Sequence, residues 1–595
     1  MNTRYLPILI AALAGLSFTH RLSAAPAADS ATQGVADTAL LQLSDEYFDK
    51  WYFPTHPSEA TQEGIHDFDT LLEDYSRAAI DAHIAALHDY ERRFAALSST
   101  ALSEHYAANL QLLLNSVRSQ LLTLEQIRPW EKNPDLYSSE LASSAFISMA
   151  RRYAPTNERL RRLVEREKLM PAQLMAARAN LVNPPPIYTQ IALQQLPDII
   201  TFFKKDVPTA FSDADDARIS SEFAASNAAV IAALESYRQW LKSDLQPRSQ
   251  GDYRLGAALF SRKVQLDEMV DTPLAKLKQI GLANLRLNQR EFARIAHQLE
   301  PGKTARQVLE QLTSNHPAPA NLLQSVRDQF EGLRQFLGKH SIITVPTAAA
   351  PTVEETPAFM RATTSASMDT PGPFETTATE AYFNVTLPDP SWDQATTENF
   401  MTQWNYPLIS NVAVHEAYPG HYIQFLWMHQ VPDRVRKLVG ANSNAEGWAH
   451  YCEQMMLEEG LGKPPANATG QQLRESQWLK LGQLQDALLR NARYMVAIGM
   501  HTGSMSFDQA VDYFVKEGFQ SRKVAEAETK RGTSDATYLY YTLGKLQILK
   551  LRADLKQRQG ASFDLKAFHD AFMREGFPPL KIVRRAMLHD DSPTL

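Results

Sequence analysis

The chain has 595 residues, 44% hydrophobic and 21% charged, which excludes wholesale disorder and fits several compact units or one large helical body with a cleft. Its net charge of −7 supplies no global basic field to attract nucleic acid or anionic lipid. A single cysteine excludes an internal disulfide, a Cys-only zinc site and an iron–sulfur cluster, and 24 Gly with 33 Pro exclude collagen-like or Gly-rich sequence.

Residues 1–25 read as a signal peptide. Arg4 is a short positive start, Leu6 to Phe18 is an apolar run too short to span a bilayer, and small residues follow, so cleavage is expected near Ala24 to Ala27. Arg21 is awkward next to that site, and a retained N-terminal anchor is the alternative. No Cys lies near the cut, so lipid attachment there is not expected. No second apolar run is long enough to cross a membrane, so an exported, periplasmic or secreted protein is expected.

The body reads as mainly α. Ile84, Leu87, Tyr90, Phe94 and Leu97 recur at steps of three and four, the stripe of an amphipathic helix. Segments 105–125, 158–180 and 222–243 behave alike. Leu277, Gly281, Leu285, Asn288, Phe292, Ile295 and Leu299 repeat the pattern until Glu300-Pro-Gly stops it. No short-period repeat supports a solenoid. Residues 340–392 break the rhythm: His340 to Pro346, Thr363 to Ser367 and Ala381 to Pro388 carry Thr, Val and aromatic runs bounded by Pro and Gly, which predicts a small β-sheet. Segments 472–500 and 537–556 return to helix. The expected organisation is an N-terminal helical part, 28–335, without conspicuous chemistry, and a C-terminal part, 336–595, with the small sheet and the site.

The chemical signal is His415-Glu-Ala-Tyr-Pro-Gly-His421. A zinc hydrolase needs neutral imidazole ligands, an open coordination position and a carboxylate near the attacking water. The usual helical solution spaces two histidines by four residues, an offset of only about 40°. Here the spacing is six, about 240° on a regular helix, which would separate the rings. Pro419 and Gly420 intervene, and a helix broken or bulged there could swing His421 back to His415. Downstream, Glu446, His450 and Glu453 lie at i, i+4 and i+7, on one helical face. Two His on one helix plus Glu446 from a second make a His₂Glu set, with His450 and Glu453 suited to orienting the ligands.

Bland readings compete. A lone histidine is usually a surface or satisfied core residue, the default for His429 and His501, and a polar stripe alone is usually a solvated face. Cys452 reads as a buried structural thiol rather than a nucleophile.

His415-Glu416-x-x-Pro419-Gly420-His421-x-x-Gln424, followed by Glu446-Gly447-Trp448-Ala449-x-Tyr451-x-Glu453, resembles the signature of the bacterial DUF885 family, itself similar to gluzincin-type metallopeptidases. Pro371-Gly-Pro-Phe, Ala381-Tyr-Phe-Asn384, Arg493…Gly499-Met-His501 and Arg531…Tyr541-Thr-Leu-Gly544-Lys545 agree in order. The chain departs at Ala497, where an acid is expected.

The resemblance implies a helical protein with a deep channel and Zn²⁺ on its wall, held by His415, His421 and Glu446. Glu416 would be the general base. Tyr541 would donate to the oxyanion, with Tyr538 and Tyr540 as competitors. Arg493 and Arg531 would hold a peptide carboxylate or form ordinary ion pairs, and Gln424, His450, Glu453 and His501 would support the site or the substrate. Ala381 to Val385 could offer an edge strand to a peptide. The function expected is an exported zinc-dependent peptidase. The alternatives are a metal hydrolase of non-peptide amides or esters, and a non-catalytic peptide-binding helical protein.

Overall fold

The computed structural model describes residues 27–357, 361 and 365–595. The expected signal peptide, 1–25, lies outside these residues. Helices dominate, and each expected helical stripe is present. In α1 (Arg77–Ala95) the Ser76 hydroxyl caps the amide of Ala79 at 3.3 Å, and Ile80, Leu87, Tyr90 and Phe94 face inward. The helices α2 (Thr156–Asn180) and α3 (Ala217–Trp240) share one core, with Leu160, Leu163 and Leu174 against Val230, Leu234 and Tyr237. Next come α4 (Gly256–Glu268) and α5 (Leu274–Leu299), which buries Leu277, Leu285, Phe292 and Ile295 as its period requires.

After α6 (Leu322–His340) the helical rhythm stops, as expected, but the strands differ from the expectation. β1 (Thr352–Glu355), β2 (Ala366–Asp369) and β3 (Tyr382–Val385) form one sheet in the order β1-β3-β2, with β1 parallel and β2 antiparallel to β3. Residues 341–346 are not a strand. His569 Nδ1 pairs with the Ile342 carbonyl at 2.8 Å and the Asp570 carboxylate accepts from the Thr344 amide at 2.8 Å, so side chains meet backbone groups that a ladder would otherwise satisfy. The edge-strand role expected of 381–385 is also corrected. β3 is the central strand, because Phe383 and Val385 are fully buried and both its edges are paired. Phe383 packs on Phe330 of α6 at 5.2 Å, and Phe330 packs on Tyr418 at 5.6 Å, which ties the sheet to the turn between the two key histidines.

The remaining helices hold the site: α7 (Tyr406–Glu416), α8 (His421–Met428), α9 (Asn442–Glu458), α10 (Gly470–His501), α11 (Arg522–Ser534) and α12 (Tyr540–Gln559). From Leu481 onward α10 is buried on nearly all sides and acts as a spine. One hydrophobic core joins Phe260, Leu285 and Phe292 to Leu488, Tyr494 and Leu543, so packing runs across residue 335. Among the described residues no helix is long and apolar enough to cross a membrane.

Candidate metal centre

The two histidines occupy separate helices, not the one helix expected. In α7, Asn405 caps the start by accepting from the Leu408 amide, and the helix stops at Glu416, where Ala417 leaves helical geometry at φ −120°, ψ −70°. The Ala417 and Tyr418 amides both donate to the Ala413 carbonyl, the Tyr418–Pro419 peptide is cis, and α8 restarts at His421. Gly420 is essential to that return: a Cβ there would collide with the carbonyl oxygen of His415. Trp448 clamps the turn from α9 by donating its indole N–H to the Pro419 carbonyl at 2.9 Å. The His415 and His421 rings end 5.0 Å apart and nearly perpendicular, at 89°.

Glu446 arrives from α9. Gly447 and Gly544 face each other where α9 crosses α12, and neither position has room for a Cβ. The start of α9 has no cap of its own, and the Ser443 amide donates to Glu268 of α4 at 3.0 Å, an anion at a helix N-terminus. Burial pushes the Glu268 carboxyl up to about 7, against the pull of Ser443 and Lys263.

One Glu446 oxygen, Oε2, lies 3.3 Å from Nε2 of both His415 and His421, and one ligand atom from each residue lies within 4.8 Å of the others. That oxygen is buried with no hydrogen-bond partner among the described residues, so neither contact has hydrogen-bond alignment. Ligand bonds of about 2.0–2.2 Å in a tetrahedral zinc site put neighbouring donors roughly 3.3–3.5 Å apart, and the donor set is of the His₂-carboxylate kind. The residues therefore fit the ion. Burial raises the Glu446 carboxyl, but the two imidazoles outweigh it and hold the group well below the usual carboxylate range.

A buried network orients His415. Glu453 faces its Nδ1 at 2.8 Å and the Nδ1 of His450 at 3.1 Å, so with Nδ1 as the donor the His415 Nε2 lone pair is left for a ligand bond. Burial and Lys545 push His450 down to about 3, so it is neutral at ordinary pH. Burial and Arg490 also press the His415 imidazole down, and Glu446 and Glu453 outweigh them, lifting it to about 9. That proton is the one a divalent cation would displace on binding. His421 has no such partner; its Nδ1 is unpaired, and its ring stacks on Phe425 at 5.8 Å.

Glu416 ends α7 beside this set and makes no hydrogen bond or ion pair within the described residues. Burial raises its carboxyl against the pull of His415 and His421.

The three tyrosines separate cleanly. The Tyr538 hydroxyl is buried without a partner and packs against Gly532. The Tyr540 hydroxyl is committed to Asp535 at 2.9 Å. The Tyr541 hydroxyl accepts from Arg531 at 3.2 Å, which leaves its own hydrogen free, and its ring stacks 6.4 Å from that of His415. Burial and Glu446 push this phenol up to about 12.

Other candidates fall outside the cluster of His415, His421 and Glu446. Gln424 donates to Asn444 at 2.9 Å and fastens α8 to α9. His501 pairs with the Gly532 carbonyl at 2.7 Å and packs against Tyr253 and Phe260, contacts that leave out His415, His421 and Glu446. Cys452 is fully buried, and burial pushes its thiol well up. A cavity of about 820 Å³ between Pro186, Tyr253, Phe507 and Lys530 touches none of His415, His421 and Glu446.

Sequence reasoning missed Arg490, which lies 3.3 Å from both Glu453 Oε1 and His415 Nδ1 and is anchored by Asp486, itself held by Asn411 at 2.6 Å. A signal existed: Arg490 interrupts the run from Ala487 to Met500, and a charge inside an all-round buried helix requires partners. Glu268 carried no comparable signal, since its partner is 175 positions away.

The chain belongs to the DUF885 family, described as bacterial proteins of unknown function, whose model matches residues 57–587. It is similar to a solved candidate lipoprotein of unknown function from Shewanella oneidensis, with a TM-score of 0.76 and 26% identity over 92% of this chain and 99% of that one. A candidate lipoprotein from Colwellia psychrerythraea has the same fold, with a TM-score of 0.75 and 18% identity over 94% of this chain and 99% of that one. No curated protein matches the chain.

Proposed function

We propose that this DUF885 member is a zinc-dependent hydrolase of peptide bonds, with His415, His421 and Glu446 as ligands and Glu416 as general base. The observation that carries the reading is one buried Glu446 oxygen equidistant, at 3.3 Å, from two imidazole nitrogens without hydrogen-bond alignment to either. When bound, the ion would lower the pKa of a water and polarise the scissile carbonyl.

Glu416 is suited to take the proton of the attacking water and return it to the leaving amine. Its carboxylate has no competing hydrogen bond, and burial moves its pKa toward the working range of a general base. Tyr541 is suited to donate to the developing oxyanion, because Arg531 occupies its lone pair and not its hydrogen. Glu453, itself paired with Arg490, fixes the His415 ring. Export is supported by the leader-like residues 1–25 and by the description of the Shewanella relative as a candidate lipoprotein.

The test is Glu416→Gln in the metal-loaded protein. Metal content should match wild type while peptide hydrolysis falls by about 10²–10⁴-fold. A variant that cleaves peptides as fast as wild type overturns the mechanism.

A further inference from the structure

Two arginines packed against Tyr541 differ in how fully they are used. Arg493 is closed: its Nε and Nη2 each donate to a different oxygen of Glu528 at 2.7 Å, and both side chains are largely buried. This is the short, two-pronged geometry of a strong Arg–carboxylate pair. Arg531 is open. Its Nε and Nη2 converge on a single oxygen of Asp535 at 3.3 and 3.1 Å, and that oxygen already accepts from Tyr540. Among the described residues its Nη1 has no partner, and 40% of the side chain is exposed.

The guanidinium is nevertheless held in place. Nη2 also reaches the Tyr541 hydroxyl at 3.2 Å, and the charged carbon sits 5.9 Å from the Tyr541 ring, which stacks beside His415. A fixed cation with unused donors therefore stands one aromatic ring from the ligand set. These two distances place the guanidinium within about 12 Å of the His415 ring, a span that an extended peptide covers with up to three or four residues at about 3.5 Å each.

Resting on the peptidase reading, we infer that Arg531 binds the free C-terminal carboxylate of the substrate, so that this site removes residues from a peptide's C-terminus. An acidic side chain presents the same planar carboxylate, and the test separates the two sources. Arg493 takes no part, because Glu528 occupies its fork.

The experiment compares three peptides in the metal-loaded protein: one with a free C-terminus and no acidic residue, its C-terminal amide, and the amide with a Glu in the last position. Wild type should cleave the free acid about 10- to 100-fold more efficiently than the plain amide. Arg531→Gln should bring that ratio near one, and Arg531→Lys should restore part of it. The ratio is the readout because loss of the Tyr541 contact slows all three alike. Equal cleavage of acid and amide by wild type, or a ratio unchanged in Arg531→Gln, overturns the inference. An Arg531-dependent preference for the Glu amide over the free acid overturns the terminal assignment.

If no peptide is cleaved, the peptidase reading fails, and calorimetry decides this one. Metal-loaded Glu416→Gln protein should bind N-acetyl-leucine about 10-fold or more tightly than N-acetyl-leucinamide, and adding Arg531→Gln should erase the difference. Equal binding of the two probes overturns the inference.

Discussion

His66 and His415 are both histidines set between two carboxylates, one in each half of the chain, and they are finished differently. His66 faces Asp69 with Nδ1 at 3.1 Å and Glu375 with Nε2 at 2.9 Å, and its ring lies flat on Tyr153 at 3.7 Å. Asp69 is further held by Thr61 and Arg162, and Glu375 by the amides of Thr377 and Ala378. Every polar atom of the imidazole is spent, and the cluster bolts the 371–378 loop to the N-terminal helices. At His415 only Nδ1 is closed, by Glu453; Nε2 looks at a Glu446 oxygen that a second histidine also faces, with no proton aligned between them. The two clusters share residue types, although the His66 side chain is 21% exposed and that of His415 6%. What separates them is convergence of unmet donor atoms, and a buried polar atom without a partner costs stability unless a ligand repays it.

This contrast can be broken most directly by metal binding. His421→Ala should weaken zinc by more than about 100-fold, beyond what an orienting residue contributes, whereas His66→Ala should leave the affinity at the wild-type value. Titration against a chelating dye reads both, and zinc held equally by wild type and His421→Ala would dissolve the distinction. Next in size is Glu453→Gln, which keeps the shape but removes the charge that orients His415. Zinc affinity should fall about 10- to 100-fold. A smaller loss than at any exposed carboxylate would show that the ring is held by packing alone.

Glu268 sharpens the comparison from a third direction, as a buried carboxylate closed by an amide, with no ion pair among the described residues. Its folded pKa, about 7, lies above the ordinary 4.5, so the folded protein keeps a proton that the unfolded chain releases. The cost of burying the charge is absent below about pH 4.5, grows between the two values and is complete above pH 7. Glu268→Gln retains an acceptor for the Ser443 amide and removes that cost. The variant should match wild type in melting temperature near pH 4.5 and exceed it at pH 8, by up to about 3 kcal/mol of stability. A variant less stable than wild type at pH 8 would mean that the anion at the start of α9 is worth more than its burial costs.

Much of the helical frame was legible because its signals are local. The stripe at 277–299 and the Glu300-Pro-Gly stop predict α5 nearly to the residue, since side chains three and four apart share a face whatever the helix meets. The strands were only partly legible. Ile342 and Ile343 have strand-like composition, yet Asp570 and His569 from more than 220 positions away take over the backbone hydrogen bonding there. The segment at 381–385 is a strand, but whether it lies at an edge depends on two partners that its own sequence does not name.

At the site, residue types and order by themselves determined that two histidines, Glu416 and Glu446 were the groups to watch, and that Pro419-Gly420 could bend the chain between them. Donor chemistry and backbone restrictions belong to each residue and survive translation from sequence to space. Tertiary structure alone decided that the bend is a full helix break, that Tyr541 rather than Tyr540 keeps a free hydroxyl hydrogen, that Arg493 is closed while Arg531 is open, and that Arg490 stands behind His415. Each of these depends on which polar atoms remain unmet after distant segments have packed, and hydrogen bonds, unlike helical periodicity, are satisfied across the whole chain.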